Sequence, residues 1–241
     1  DAVGREPPDE ERRDDRDAPT ARGPHAAAAM TLDFCGESVT LLGERALSWN
    51  DLLVVADVHL GKGDHFRARG LPLPPGELND DLDRLAALLR ETGARRLRVL
   101  GDLVHGAVKP ATMARVAEWR RGIDAKVELV PGNHDRHAPI LPTGWGVDVL
   151  ESVVMEGPFA FVHEPSVVAG AFVWAGHVHP TVAFSGRADR LRFPAFVLME
   201  NAGLLPAFSR FTGGPVVRPG PGVRTFGCVE GEVVEQDAPR T

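Results

Sequence analysis

The sequence predicts an α/β fold built around buried strands, and three observations carry the prediction. Short runs of strand length, largely apolar on both faces, stand at 52–56, 97–100, 127–130, 159–162, 172–175 and 195–199, bounded by Gly, Asp and Asn. Segments with helical spacing separate the first three runs. The 241 residues, 43% hydrophobic and 25% charged, suffice for one domain or two small ones with a substantial core, without disulfides or a structural metal. No apolar run is long enough to cross a bilayer.

Taken in order, residues 1–29 combine eight Asp/Glu with five Arg, several prolines and almost nothing apolar before the alanines at 26–29. Such a segment cannot offset its ordering entropy and reads as a disordered N-terminal extension, without the basic start and apolar centre of a secretory signal. The folded domain is expected over 30–241, opening with an alternating stretch at Met30. After the first run, residues 75–92 place Leu78, Leu82, Leu85, Leu88 and Leu89 at helical spacing, with Gly93 as a stop. After the second, residues 111–121 carry Met113, Val116 and Ala117 and end before Gly122. The first half therefore reads β-α-β-α-β and the second mostly β. Residues 213–222 read as a Pro/Gly-rich loop before a last strand near 223–234. Trp119, Trp145, Trp174 and the apolar stretch 204–211 read as packing.

A formal charge of −7, from 27 basic and 34 acidic residues, excludes a broad electrostatic footprint for nucleic acid and leaves room for a local basic groove. Cys35 and Cys228 lie far apart and form no C-x-x-C pair, so they argue for neither a zinc ribbon nor a redox dithiol. Free thiols and a cytoplasmic location are the expectation.

The chemistry sits where the runs end. The run at 52–56 leads into Asp57-Val58-His59, that at 97–100 into Gly101-Asp102-Leu103-Val104-His105, and that at 127–130 into Gly132-Asn133-His134-Asp135. The runs at 159–162 and 172–175 lead into His163 and Gly176-His177-Val178-His179. Polar groups gathered at the ends of neighbouring strands place a charged site at one rim of a sheet. Carboxylate, imidazole and amide oxygen together suit Mn²⁺, Fe or Zn²⁺ better than Ca²⁺, and the lack of cysteine argues against a structural zinc.

The ordered series D-x-H, G-D-x-x-H, G-N-H-D, H and G-H-x-H, from Asp57 to His179, resembles the calcineurin-like metallophosphoesterases. The resemblance implies a four-layer α/β/β/α sandwich with two divalent metal ions, most commonly Mn²⁺. It gives Asp57, His59 and His179 to the first metal and Asn133, His163 and His177 to the second, with Asp102 bridging. It further implies in-line attack on phosphorus by a metal-bridging hydroxide, with His134 facing the substrate as the acid and Asp135 orienting it. His105 departs from the commoner aspartate and is expected beside the ligands.

Longer stretches, among them Asp57-Val58-His59-Leu60-Gly61-Lys62-Gly63, Arg69-Gly70-Leu71-Pro72-Leu73-Pro74-Pro75 and Leu205-Pro206-Ala207-Phe208-Ser209-Arg210-Phe211-Thr212-Gly213-Gly214, are similar to the ligase-associated DNA-damage-response endonucleases. That similarity implies DNA as substrate, a role in bacterial DNA repair, and a DNA ligase, a helicase and a nuclease as partners. Lys62, Arg67 and Arg69 could then track a phosphate backbone, although such arginines are equally a solvated surface.

Two other readings compete: a phosphoesterase for small nucleotides or phosphomonoesters on the same metal site, and a non-catalytic scaffold. A scaffold would be expected to lose ligands or the acid histidine, and all of them are present here.

Overall fold

The computed structural model describes residues 26–71, 76–106, 108–137, 141–185 and 190–238. The chain enters through β1 (Ala26–Ala27) and then lays down one sheet in sequence order: β2 (Ala29–Phe34), β3 (Glu37–Leu42), β4 (Ala46–Trp49), β5 (Leu52–Ala56), β6 (Arg96–Leu100), β7 (Lys126–Val130) and β8 (Val147–Val149). Pairing is antiparallel up to β5 and parallel from β5 to β8. Between the parallel strands run α1 (Lys62–Ala68), α2 (Glu77–Thr92) and α3 (Pro110–Arg121), and α4 (Asn133–His137) follows β7.

The second sheet comprises β9 (Val153–Glu156), β10 (Phe159–Val162), β11 (Phe172–Ala175), β12 (Thr181–Ser185), β13 (Arg190–Leu198), β14 (Ala202–Leu204), β15 (Arg224–Val229) and β16 (Glu232–Gln236). Its order is β1-β16-β15-β13-β14-β11-β10-β9, with β12 on β13.

Side-chain alternation sorts the core into layers. Leu53 and Val55 of β5, with Leu97, Val99, Val127 and Leu129, meet the leucines of α2 and Val116 of α3. Leu52, Val54 and Ala56 point the other way, against Phe159, Phe161, Trp174, Phe196 and Phe226 of the second sheet. Each such fully buried side chain contributes roughly 1.5–3 kcal/mol. The outer face of the second sheet is covered by loop residues, including Val168, Ala171, Val178, Val217 and Val223. The two-sheet α/β sandwich is thus as expected, and the described loop residues on its outer face lie outside helices.

Helix ends follow the sequence signals. α2 stops at Gly93, which takes the left-handed φ of 67°. α3 begins with Pro110 at its first turn and ends at Gly122. Pro75, expected to open α2, lies outside the described residues, as do residues 1–25.

The structure changes several boundaries. Strand pairing begins before Met30, because Ala26, Ala27 and Ala29 need only their backbone to join an edge. The last strand is a hairpin, since Glu230 and Gly231 both take positive φ and return the chain as a two-residue turn. Trp145 and Trp174 are buried and Trp119 packs on the helix-side core, in keeping with packing roles.

Candidate metal centre

Parallel pairing of β5, β6 and β7, and of β10 and β11, brings their C-terminal ends to one rim. Asp57 and His59 follow β5, Asp102 follows β6, Asn133 opens α4 after β7, His163 follows β10, and His177 and His179 follow β11. The turns there are tight. Asp57, His59, Asp102, His177 and His179 all have φ between 51° and 67° and make up five of the nine described non-glycine residues with positive φ. Such backbone costs on the order of 1 kcal/mol or more per residue, so strain is concentrated at this rim. Gly176 lets the second sheet approach: a Cβ there would meet both Ala56 Cβ and Asp57 Oδ2 at 2.8 Å.

Two sets of ligand atoms converge. Asp57, His59 and His179 offer one atom each within 4.8 Å of one another, and so do Asp57, Asp102 and His163. In the first set Asp57 Oδ2 accepts the His177 N–H at 2.9 Å, and Oδ1 has no hydrogen bond among the described residues. His179 Nε2 lies 3.0 Å from that oxygen without hydrogen-bond alignment, and among the described residues neither ring nitrogen of His59 has a partner. Burial first, then Lys62, pushes the His59 imidazole down to about 2, so it is neutral with a free lone pair. Orphaned buried groups of this kind cost about 1–3 kcal/mol each, and a divalent cation would satisfy them together.

In the second set His163 Nδ1 lies 3.0 Å from Leu100 O, an acceptor only, so Nδ1 carries the proton. The lone pair on Nε2 then faces Asn133 Oδ1 at 3.0 Å, His177 Nδ1 at 3.1 Å and Asp102 Oδ1 at 3.5 Å. Nitrogen and oxygen donors directed at one another fit a cation between them. Burial raises the pKa of Asp102. The donor sets therefore fit two metals; they meet at Asp57, and Asp102 stands in the second.

The hydrogen bonds of Asp135 among the described residues go to main chain and not to the His134 ring. Its carboxylate accepts the N–H groups of Asp102 at 2.7 Å, Gly132 at 2.9 Å, Leu103 at 3.0 Å and Val104 at 3.4 Å, which fixes the loop that presents Asp102. His134 is half exposed, with its N–H on Asp102 Oδ1 at 3.0 Å. Its ring stacks on His105, with centroids 5.1 Å apart. His105 also meets His59 and His65 edge-on, and burial pushes its pKa down to about 4.

Of the three cations, Arg67 pairs with Glu77 at 2.8 Å and Asp64 at 3.3 Å, which clamps α1 to the start of α2. Lys62 Nζ donates to Thr212 Oγ1 at 2.6 Å, and burial lowers its pKa. Arg69 is exposed at the end of α1 and forms no ion pair among the described residues. A cavity of about 310 Å³ opens beside the centre, lined by His59, Lys62, Arg67, Arg115 and Phe211 among others. Ser209 and Thr212, from the stretch 205–214, join the surroundings of the site, as do Arg45 and Arg84, which carry no local sequence signal.

Comparison with known proteins places this geometry. A family model described as calcineurin-like phosphoesterase matches residues 51–191. Among solved structures, nuclease MPE of Pseudomonas putida is 37% identical, over 86% of this chain and 100% of that chain, with a TM-score of 0.76. Yfce, a phosphoesterase from E. coli, is 17% identical over 73% of this chain and 86% of that one, with a TM-score of 0.34. No curated protein sequence matches. With more than half its length matched by the family model and a solved relative covered end to end, the chain belongs to the calcineurin-like phosphoesterase family, whose members are metal-dependent hydrolases.

Proposed function

We propose that the protein is a dinuclear-metal phosphodiesterase that cuts DNA internally, serving bacterial DNA repair in the cytoplasm beside a ligase, a helicase and a nuclease. The observation that carries the metal chemistry is the pair of converging donor sets at one rim. The choice of DNA is supported by the resemblance to a nuclease over its whole length. No described helix is long and apolar enough to cross a membrane.

When bound, two divalent ions, Mn²⁺ by preference and Fe or Zn²⁺ as alternatives, supply a nucleophile at neutral pH and offset charge on the phosphoryl oxygens. Asp57, His59 and His179 would hold one, Asn133, His163 and His177 would hold the other, and Asp102 would bridge them. His134, half exposed beside Asp102, reaches outward to protonate the leaving alcohol, its ring kept in place by His105. Asp135 contributes by holding the Asp102 loop.

The test is Mn²⁺-supported hydrolysis of bis-p-nitrophenyl phosphate beside p-nitrophenyl phosphate, followed by closed-circular DNA. Diester preference with nicking is expected, and His134→Ala should lower turnover by about 10²-fold or more with metal content unchanged. Monoester preference with intact DNA would keep the metal site and move the substrate to small phosphate esters. Arg69→Ala should reduce the slope of log affinity for DNA against log salt by about one, whereas Arg67→Ala should leave it in place. An unchanged slope for Arg69→Ala would return that residue to the solvated surface.

A further inference from the structure

We propose that Arg45 and Arg84 are positioning residues for the first metal set, acting through the segment 205–209; this rests on the metal-centre reading above. The segment leaves β14 and crosses between the sheets. Leu205 N–H donates to Ala175 O at 2.8 Å, just before Gly176 and His177. Phe208 N–H donates to Ala56 O at 2.8 Å and Ser209 N–H to Asp57 O at 3.4 Å, while Ala207 bridges to Ala56. One short stretch thus staples the strand end that carries Asp57 to the strand end that carries His177 and His179.

These strand ends belong to different sheets. The first metal set takes Asp57 and His59 from one sheet and His179 from the other, so its spacing is a distance that neither sheet's own pairing fixes. The His177 N–H to Asp57 Oδ2 bond also crosses, but it uses the ligand carboxylate itself. The staple crosses at this rim through main chain alone.

Two arginines hold the staple. Arg84 Nη2 donates to Phe208 O, and its guanidinium lies 3.9 Å over the fully buried Phe208 ring. Arg45 Nη1 donates to Ser209 O at 3.0 Å and to Phe208 O at 3.5 Å. Among the described residues neither carbonyl accepts a main-chain N–H. Arg84 is buried on the otherwise leucine-rich face of α2, with Asp81 and Glu44 each 3.4 Å away. A buried guanidinium is costly to desolvate, and an apolar side chain would fill the same space. What arginine adds is directed donation to the carbonyls of the staple.

The experiment is calorimetric titration of Mn²⁺ into the full chain, with His179→Ala identifying which binding class belongs to the first set. In Arg84→Met and Arg45→Met that class should weaken about tenfold, as expected for groups that orient ligands, while the other stays within about twofold. Arg84→Lys, which can still donate to Phe208 O, should recover most of the loss. Thermal unfolding without metal reads packing separately, and the half-buried Arg45 keeps the test available if Arg84→Met does not fold. An unchanged first class in a folded variant, or equal weakening of both classes, overturns the proposal and leaves the metal centre standing. Absence of Mn²⁺ binding by the parent chain overturns the metal-centre reading itself, and this inference with it.

Discussion

Replacing Asp57 by asparagine should deplete the first metal site and lower diester turnover at least about 10³-fold, because several kcal/mol of charge stabilisation is removed at 1.36 kcal/mol per tenfold. Asp57 is fully buried and is the one residue common to both ligand sets. Asparagine keeps the volume and can still accept the His177 N–H, so the fold has no reason to fail. What changes is the negative charge that faces His179 Nε2 at 3.0 Å. Metal analysis of the purified variant beside its turnover checks this. Two retained metals with turnover near that of the parent would contradict it.

Arg98→Met should cost about 3–5 kcal/mol of stability, the usual loss when one partner of a buried ion pair is removed. Arg98 and Glu128 stand on β6 and β7 and face the second sheet, with side chains 3% and 5% exposed and Nη2 2.7 Å from Oε2. The same guanidinium reaches Glu156 of β9 at 2.8 Å and lies over Phe161. Its loss leaves the Glu128 carboxylate buried without that donor. Arg98→Met combined with Glu128→Leu should recover much of the loss, since both charges then leave together. Thermal unfolding reads both: a fall of about 10 °C in Tm is expected for the single variant in a domain of this size. A single variant as stable as the parent would refute the account.

Acid acts on the same cluster. Hydrogen bonds from Arg96 and then Arg98 hold the Glu156 carboxyl below the ordinary carboxylate range. A carboxylate whose folded pKa is depressed contributes stability above its unfolded pKa and loses it as pH falls through the folded one. Glu156 therefore favours the folded state at neutral pH, and that contribution fades in acid.

The strands buried on both faces, β5, β10 and β11, were legible because an apolar run between polar residues has few other uses. Their polar followers were legible for the same reason: Asp57, Asp102, Asn133, His163 and His177 interrupt apolar strands where only a site would place them. The early strands β2 to β4 were visible only as alternation. α1 was missed because Lys62–Ala68 carries no apolar stripe, and without that helix Arg67 looked free to meet phosphate. The role of Asp135 depends on backbone N–H groups from two separate loops, which spacing along the chain does not reveal. Arg98 and Glu128 lie in runs read as strands, and only the parallel register of β6 and β7 brings them together. The positive φ at Asp57, His59 and His179 has no sequence mark either, since the residues there are chosen as ligands and not for backbone freedom.

The proposed metal centre requires two ions at this rim. Anomalous diffraction from crystals grown with Mn²⁺ tests it most directly. Two peaks per chain are expected, one against Asp57, His59 and His179 and one against Asn133, His163 and His177, with Asp102 between them. A single peak, or peaks held by other residues, would contradict it.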